Sequence, residues 1–447
     1  MWATARPWSP RSGPGRAFTP SITSVPVLTW GPVLAEKRGP KRLVVVTGVS
    51  GVELAPLLRL AEELGAATAN YEEFVEEEFK APIYHVAELL LVDYRRTAER
   101  FEKAFRRMLD SLSGSEAAVV AAHAAYYRRS NIVASPLTGF VHRLAARGEA
   151  SVAIVDYVDD YYHILYRLAD RVARGETPEV AGFQVLDPAG LLYWRSTHHS
   201  IAQLAAIHGA EFYVYASKHS REGHQRLLAM LLGMEPDGGG SFHTVYVSHP
   251  ITRVRARALQ EGAALDQYPD ALEIEEFKKT LEESCPSLVV FSPTTVDELI
   301  TDPATGRLKT RIERSERWPH GENGLHEYPY PVDLRDRLFD LHLYPVEDTT
   351  GNPGYMSYLQ SQIEASIERR DLGYVAQADM IVAYRPTMYG ETHMGVETEI
   401  KTAVAMAKPV YSVVPREERS IAYRLFRFEY PLSSIDELLS VLRCSRR

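Results

Sequence analysis

The sequence predicts an α/β protein with two parallel sheets, and three observations carry that reading. Short apolar runs of strand type alternate with longer helical stretches, the pattern of parallel strands joined by right-handed crossovers. The first such run, 42–47, ends on a glycine turn at Gly48 that opens a helix. The stretch 233–241, GMEPDGGGS, then interrupts the chain with a composition that neither a helix nor a strand interior tolerates, and a second complete alternation follows it. The expected organisation is a tail over 1–40, a first domain over 41–232, a linker over 233–241 and a second domain over 242–447.

A chain of 447 residues is long enough for two ordinary domains. Its net charge of −9, with no face-sized block of Lys and Arg, argues against a nucleic-acid partner. No apolar run reaches the roughly 18 residues of a membrane span. Cys285 and Cys444, the only two cysteines, are too few for a disulfide framework and predict a reducing, cytoplasmic setting. The first 40 residues are rich in Pro, Ser, Gly and Arg, lack periodicity, and are left out of the predicted fold.

In the first domain the three consecutive valines of 42–48 read as a buried strand, and Gly48-Val-Ser50-Gly51-Val-Glu53 leads into a helix over 54–64. Further strands are expected over 117–122, 151–155 and 211–216, with helices over 87–112, 161–173, 200–208 and 225–232. The strand–loop–helix start has the layout of a phosphate-binding loop, in which Gly48, Ser50 and Gly51 would offer backbone N–H groups to an anion. Its chemistry is missing: Glu53, Leu54 and Ala55 stand where Gly, Lys and Ser or Thr would neutralise phosphate and hold Mg²⁺. This half resembles a small-molecule kinase of the adenylate-kinase type whose loop has decayed, which implies a pseudokinase. The competing reading is a structural domain with ordinary polar loops. Adjacent His198 and His199 point about 100° apart on a helix, and Asp156, Asp159 and Asp160 suit helix capping, so no metal is expected.

In the second domain strands are expected over 244–247, 287–291, 380–384 and 410–414, and helices over 253–261, 271–283, 355–376, 396–407 and 434–442. The polar, proline-punctuated stretch 305–330 is expected to be an excursion or a lid over the site. Ligands of such sheets bind at the carboxyl ends of the strands. Those ends supply Tyr246, Ser248, His249, Arg253, Ser292, Thr294, Tyr384, Arg385, Thr392 and His393, a set that suits a sugar and a base, with a phosphate on Arg253 or Arg385. Glu399 is expected in the first turn of the 396–407 helix, where the dipole and free N–H groups favour the ionised carboxylate, a candidate nucleophile. A lone carboxylate in that position is more often a solvated cap. Glu397 competes, but residues two apart on a helix lie about 200° apart, so only one of them can face the site.

The motif from Asp379 through Gly395, Glu399, Ile400, Ala403, Ala407 and Lys408-Pro409-Val410, together with the opening strand Tyr246-Val-Ser248-His249-Pro250, resembles the nucleoside 2-deoxyribosyltransferase family and its N-glycosidase relatives. The resemblance covers roughly 241–443. It implies a Rossmann-like fold, Glu399 as nucleophile toward the anomeric carbon, Asp379 or His393 handling the proton of the leaving base, and Gly395 beside the substrate. It calls for no cofactor and no metal, and the expected partner is a nucleoside or nucleotide, with a homo-oligomer left open. Two alternatives stay open: a nucleotide-binding regulatory protein without turnover, and an enzyme that cleaves the nicotinamide–ribose bond of NAD.

Overall fold

The computed structural model describes residues 39–447 except 129–130, 177–187, 208, 297–308, 310, 320–323, 327–329, 334–352, 392, 416–417, 419–429 and 445–447. The expected tail, apart from Gly39 and Pro40, lies outside the described residues, as does Thr392.

The first half contains β1 (Arg42–Thr47), β2 (Ala67–Asn70), β3 (Ala117–Ala122), the hairpin β4 (Ala125–Arg128) and β5 (Asn131–Ala134), β6 (Ser151–Val158) and β7 (Glu211–Ala216). Five of them form a parallel sheet in the order β2-β3-β1-β6-β7. The valine run of β1 follows from its central place. Val44 and Val46 join the hydrophobic cluster on one face, while Leu43 and Val45 join the cluster on the other. The short, half-buried β2 carries no apolar run and escapes sequence reading. The single helix expected over 87–112 is two, Ile83–Val92 and Tyr94–Ser111, because Asp93 leaves helical geometry and caps the second by accepting from the Arg96 N–H at 3.1 Å.

The second half contains β8 (His243–Ser248), β9 (Leu288–Phe291), the two-residue ribbon β10 (Arg311–Ile312) and β11 (Val332–Asp333), β12 (Met380–Tyr384), β13 (Val410–Val413) and β14 (Tyr430–Leu432). Its parallel sheet runs β14-β13-β12-β8-β9. Counted within this half, that is the doubly wound order 2-1-3-4-5, whose direction reverses between its first and third strands, β8 and β12.

The two sheets share apolar packing. One cluster of buried residues runs from Val46, Tyr157 and Val214 of the first half to Leu359, Tyr374, Tyr246 and Phe291 of the second. The helix Pro353–Gln377 lies at the centre of this arrangement. Its last residue, Gln377, accepts from the Val214 N–H at 2.7 Å and donates to the Val214 carbonyl at 2.8 Å, satisfying the edge strand β7 with one side-chain amide.

The stretch expected to be an excursion or a lid is, in its described part, inserted between the two halves. Arg317 and Trp318, both almost wholly buried, follow the turn Arg314–Glu316. Arg317 reaches Asp160 of the first half at 3.1 Å, and the Trp318 indole N–H donates to Glu275 of the second. The cysteines also depart from expectation. Cys285 and Cys444, 159 residues apart in sequence, are joined in a disulfide that ties the end of the Pro269–Ser284 helix to the chain after Ile435–Val441, so the expectation of free, reduced thiols is corrected. Among the described residues no helix is long and apolar enough to cross a membrane.

Candidate active site

The reversal between β8 and β12 positions Glu399. Its helix, Met394–Ala405, follows β12 and starts two residues earlier than expected, so Glu399 sits in the second turn rather than the first. The dipole acts mainly within the first turn, and the carboxyl is buried. Tyr246, inside β8, donates its hydroxyl to Glu399 Oε1 at 2.9 Å, and Ser248 at the end of β8 donates to Oε2. Burial pushes the Glu399 carboxyl up to about 8, and the nearby charge of Asp371 adds to the rise; the hydrogen bonds from Ser248 and Tyr246 and the charge of Arg370 oppose it. The expectation of a carboxylate kept ionised by a helix end is therefore corrected: removal from water outweighs the dipole. Glu397 pairs with Lys401 one turn along the same helix, away from this carboxyl.

The Pro353–Gln377 helix supplies the charged pair that bears on Glu399. Arg370 holds Asp371 Oδ1 at 3.0 Å and donates to the carbonyls of Pro293 and Val296 at 2.9 and 3.2 Å. Tyr374, one turn on, lies with its ring centroid 5.9 Å from Tyr246 and stacks on Phe291 at 5.6 Å. Sequence reasoning passed over Arg370, Asp371 and Tyr374. A signal was present: Ile363, Ile367 and Tyr374 mark the buried face of that helix, and Arg370 and Asp371 fall on the same face.

A second polar centre forms at the end of β9. Ser292 and Thr294 both accept from buried Lys278 Nζ, at 3.0 and 2.8 Å, and their hydroxyls lie 3.0 Å apart. Lys278 is also paired with Glu275. His249, next to Ser248, is buried with its ring 5.5 Å from Trp318, and neither ring nitrogen has a hydrogen-bond partner among the described residues. Burial, with the charges of Lys278 and Arg255, pushes this imidazole well below its ordinary value, so it is neutral.

Other expected site residues are placed elsewhere. Asp379 precedes β12 at the N-terminal edge of the sheet, where its carboxylate accepts from the Thr244 N–H at 2.8 Å. Thr244 and Ser248 are four residues apart along β8, about 13 Å at strand rise, so Asp379 is at the wrong end to serve Glu399. Arg253 is paired with Glu391 at 2.6 Å, and Arg385 with Glu273 at 2.9 Å and with Glu418, which removes the two proposed phosphate ligands from ready use. His393 precedes its helix as the N-cap residue, with Nε2 3.1 Å from the Met388 carbonyl, and burial lowers its pKa. Gly395 is exposed, and a Cβ there would meet nothing within 4 Å, so packing does not demand glycine. The Tyr384 hydroxyl donates to Glu273.

In the first half the glycine loop is closed by its own domain. A Cβ on Gly48 would sit 2.8 Å from the Tyr157 carbonyl, and Gly51 has φ +94° with Ile164 and Leu168 pressed against it. Arg167 donates to the Gly51 carbonyl at 3.0 Å and approaches Glu53 at 3.7 Å, and His326 lies 3.6 Å from Glu53. The Ser50 hydroxyl lies 3.4 Å from His123 Nε2. The aspartates within and just after β6 are matched internally. Asp156 holds His198 and His199 at 3.3 and 2.7 Å, Asp159 holds Arg167, and Asp160 holds Lys218 at 3.0 Å, Arg317, and the Tyr162 N–H as helix cap. No group of residues suited to a metal ion occurs among the described residues.

Neither a protein-family profile nor a curated protein matches the chain. Among solved structures it is similar to the shikimate kinase of Bacteroides thetaiotaomicron, at 14% identity over 43% of this chain and 99% of that one, with a TM-score of 0.28. A likeness of that size carries no argument about chemistry, and the fold rests on the strand orders given above.

Proposed function

We propose that the second half cleaves or transfers the N-glycosidic bond of a nucleoside or nucleotide through Glu399. The observation that carries this reading is a buried carboxyl at the crevice between β8 and β12, held by Tyr246 and Ser248. Two donors fix both carboxyl oxygens, which leaves an oriented group for attack on an anomeric carbon. Attack forms a glycosyl ester as the bond to the base breaks, the base leaving with the electron pair and taking a proton from water, and water or an acceptor base then displaces the ester, so that two inversions give net retention. Because burial raises Glu399 to about 8, the attacking carboxylate is a minor species near neutrality, and turnover should rise with pH up to that value.

The test incubates the protein with nucleosides, nucleoside monophosphates and NAD and follows free base by chromatography. Glu399→Gln should abolish release, by roughly four orders of magnitude in turnover, while Glu397→Gln should retain most activity, since its partner is exposed Lys401. A Glu399→Gln variant with near-normal turnover would falsify the assignment.

A second reading, a nucleotide-binding protein without turnover, is favoured by the same raised pKa, because a protonated carboxyl donates a hydrogen bond well and attacks poorly. Tight binding of one panel member without release of base would select it. For the first half we propose a pseudokinase. Leu54 occupies the place of the phosphate-binding lysine, Glu53 before it is engaged by Arg167 and His326, and no Mg-dependent phosphoryl transfer is expected.

A further inference from the structure

We propose that the cleft between the helices Pro188–Ala205 and Pro353–Gln377 binds the phosphate group of a small molecule through His199 and Arg369. This site is separate from Glu399 and does not depend on the role given to that residue. The cleft is lined by Asp156, Arg195, Ser196 and His199 from the first half and by Ser366 and Arg369 from the second, so an occupant would touch both halves. Val49, Val52 and Val214 form its apolar floor.

The cleft is built for an anion in two ways. Asp156 lies in the buried part of β6; burial pushes its carboxyl up, but hydrogen bonds from His198 and His199 outweigh that and hold it well below its ordinary range. This fixed anion takes the Nδ1–H of His199 at 2.7 Å and so orients the ring, leaving Nε2 on the opposite side. His199 is 14% exposed where Asp156 is 4% and His198 1%, which makes His199 the member of the group that meets solvent. Nε2 is therefore the ring atom left to meet an occupant of the cleft.

Arg369 supplies the second element. One of its guanidinium nitrogens, Nη1, donates to the Ser196 carbonyl at 3.1 Å and to the Ser196 hydroxyl, which docks the fork across the cleft onto the helix of the first half. No carboxylate among the described residues pairs with it. A guanidinium held by neutral acceptors keeps its charge for a ligand, and its planar fork matches two phosphate oxygens. The loop after β1, where a phosphate would ordinarily sit in such a layout, is filled by Ile164 and Arg167, so the cleft beside it, with Arg369 and His199, is the better-equipped place.

The experiment titrates the full chain with inorganic phosphate, ribose 5-phosphate and AMP by calorimetry, with ribose and adenosine as uncharged controls. Phosphate-bearing ligands are expected to bind at least tenfold more tightly than the controls. Inorganic phosphate alone would assign the site to the free ion, and the esters to a phosphorylated metabolite; both support the site. Arg369→Gln should weaken binding of inorganic phosphate at least tenfold with an unchanged melting temperature, because the side chain is exposed, and His199→Gln should weaken it likewise. Glu399→Gln should bind inorganic phosphate as the wild type does, which separates this site from the proposed catalytic one. Absence of binding by every phosphate ligand, or wild-type affinity in Arg369→Gln, overturns the proposal.

Discussion

The Tyr246 hydroxyl donates to Glu399 Oε1 across 2.9 Å, joining the interior of β8 to the helix that follows β12. Burial and the neighbouring carboxyl push the Tyr246 phenol well above its ordinary value, so it remains a donor at any working pH. That bond favours the ionised form of Glu399. Tyr246→Phe should therefore move the alkaline rise of the pH–rate profile to still higher pH and lower turnover at pH 7 by roughly tenfold, the value of one hydrogen bond to a charged group. The check is base release measured from pH 6 to 10. A profile that does not move would detach Tyr246 from the ionisation of Glu399.

How far this site was legible in the sequence depends on which residues one asks about. Tyr246, Ser248 and Glu399 lie in motifs of local spacing, and the structure brings them together. Asp379 shares the same motif yet sits at the other sheet edge, because a residue before a strand and a residue after it are separated by the whole strand length. Arg253 and Arg385 follow strand ends and carry the right charge for a phosphate, but only the fold reveals that Glu391, Glu273 and Glu418 claim them. The sheets themselves were readable wherever strands are buried on both faces, as at β1, and missed at β2 and β14, which are short and lack apolar runs. The disulfide was out of reach, since sequence separation says nothing about two residues that packing places 5.1 Å apart between Cα atoms.

That disulfide should matter to stability. Joining Cys285 to Cys444 restricts a long segment of the unfolded chain, an effect worth about 2–4 kcal/mol. The double variant Cys285→Ser, Cys444→Ser should unfold at correspondingly lower denaturant, and the native chain should show no free thiol to a thiol reagent without reductant. Equal midpoints for the two proteins would mean that the bridge adds nothing to the folded state.

Arg317 provides a sharper test of how the inserted stretch holds the fold. It is buried with Lys218 around Asp160, and the two cations together overcome the burial that otherwise pushes the Asp160 carboxyl up, leaving it well below its ordinary range. Asp159, beside Arg167, is held down to about 2 in the same way, again against burial. Both folded-state values are depressed, so this stabilisation is complete above the unfolded value near 3.8 and is lost as the pH falls from there toward 2 and below. Arg317→Met should cost about 3–5 kcal/mol at neutral pH by leaving Asp160 with a single cation. Its deficit relative to the wild type should shrink below pH 4, as Asp160 becomes easier to protonate. Urea midpoints at pH 7 and pH 3.5 measure both effects, and a deficit that is constant across that range would show that Arg317 acts by packing alone.

Glu399 carries the opposite sign. Its folded-state value is raised to about 8 from 4.5, first by burial and then by Asp371. The stabilisation this group contributes is fully present below the unfolded value and is lost as the pH rises through the folded one. Between those limits the unfolded chain gains by ionising while the folded protein keeps its proton. Above about 8 the folded protein holds a buried carboxylate beside Asp371. Glutamine has the shape of the protonated acid and cannot ionise. Its carbonyl can accept from Tyr246, and its amide can donate to Ser248 once that hydroxyl rotates. Glu399→Gln should therefore melt close to the wild type at pH 4.5 and above it at pH 8.5, with the gap opening across the interval. The same substitution is expected to abolish base release, so one variant would gain stability where it loses activity, the pattern of a carboxylate held in place for chemistry at a cost to the fold. Melting curves at the two pH values decide it. Equal differences at both would mean that Glu399 is ionised in the folded protein throughout, and the nucleophile would then need no alkaline limb.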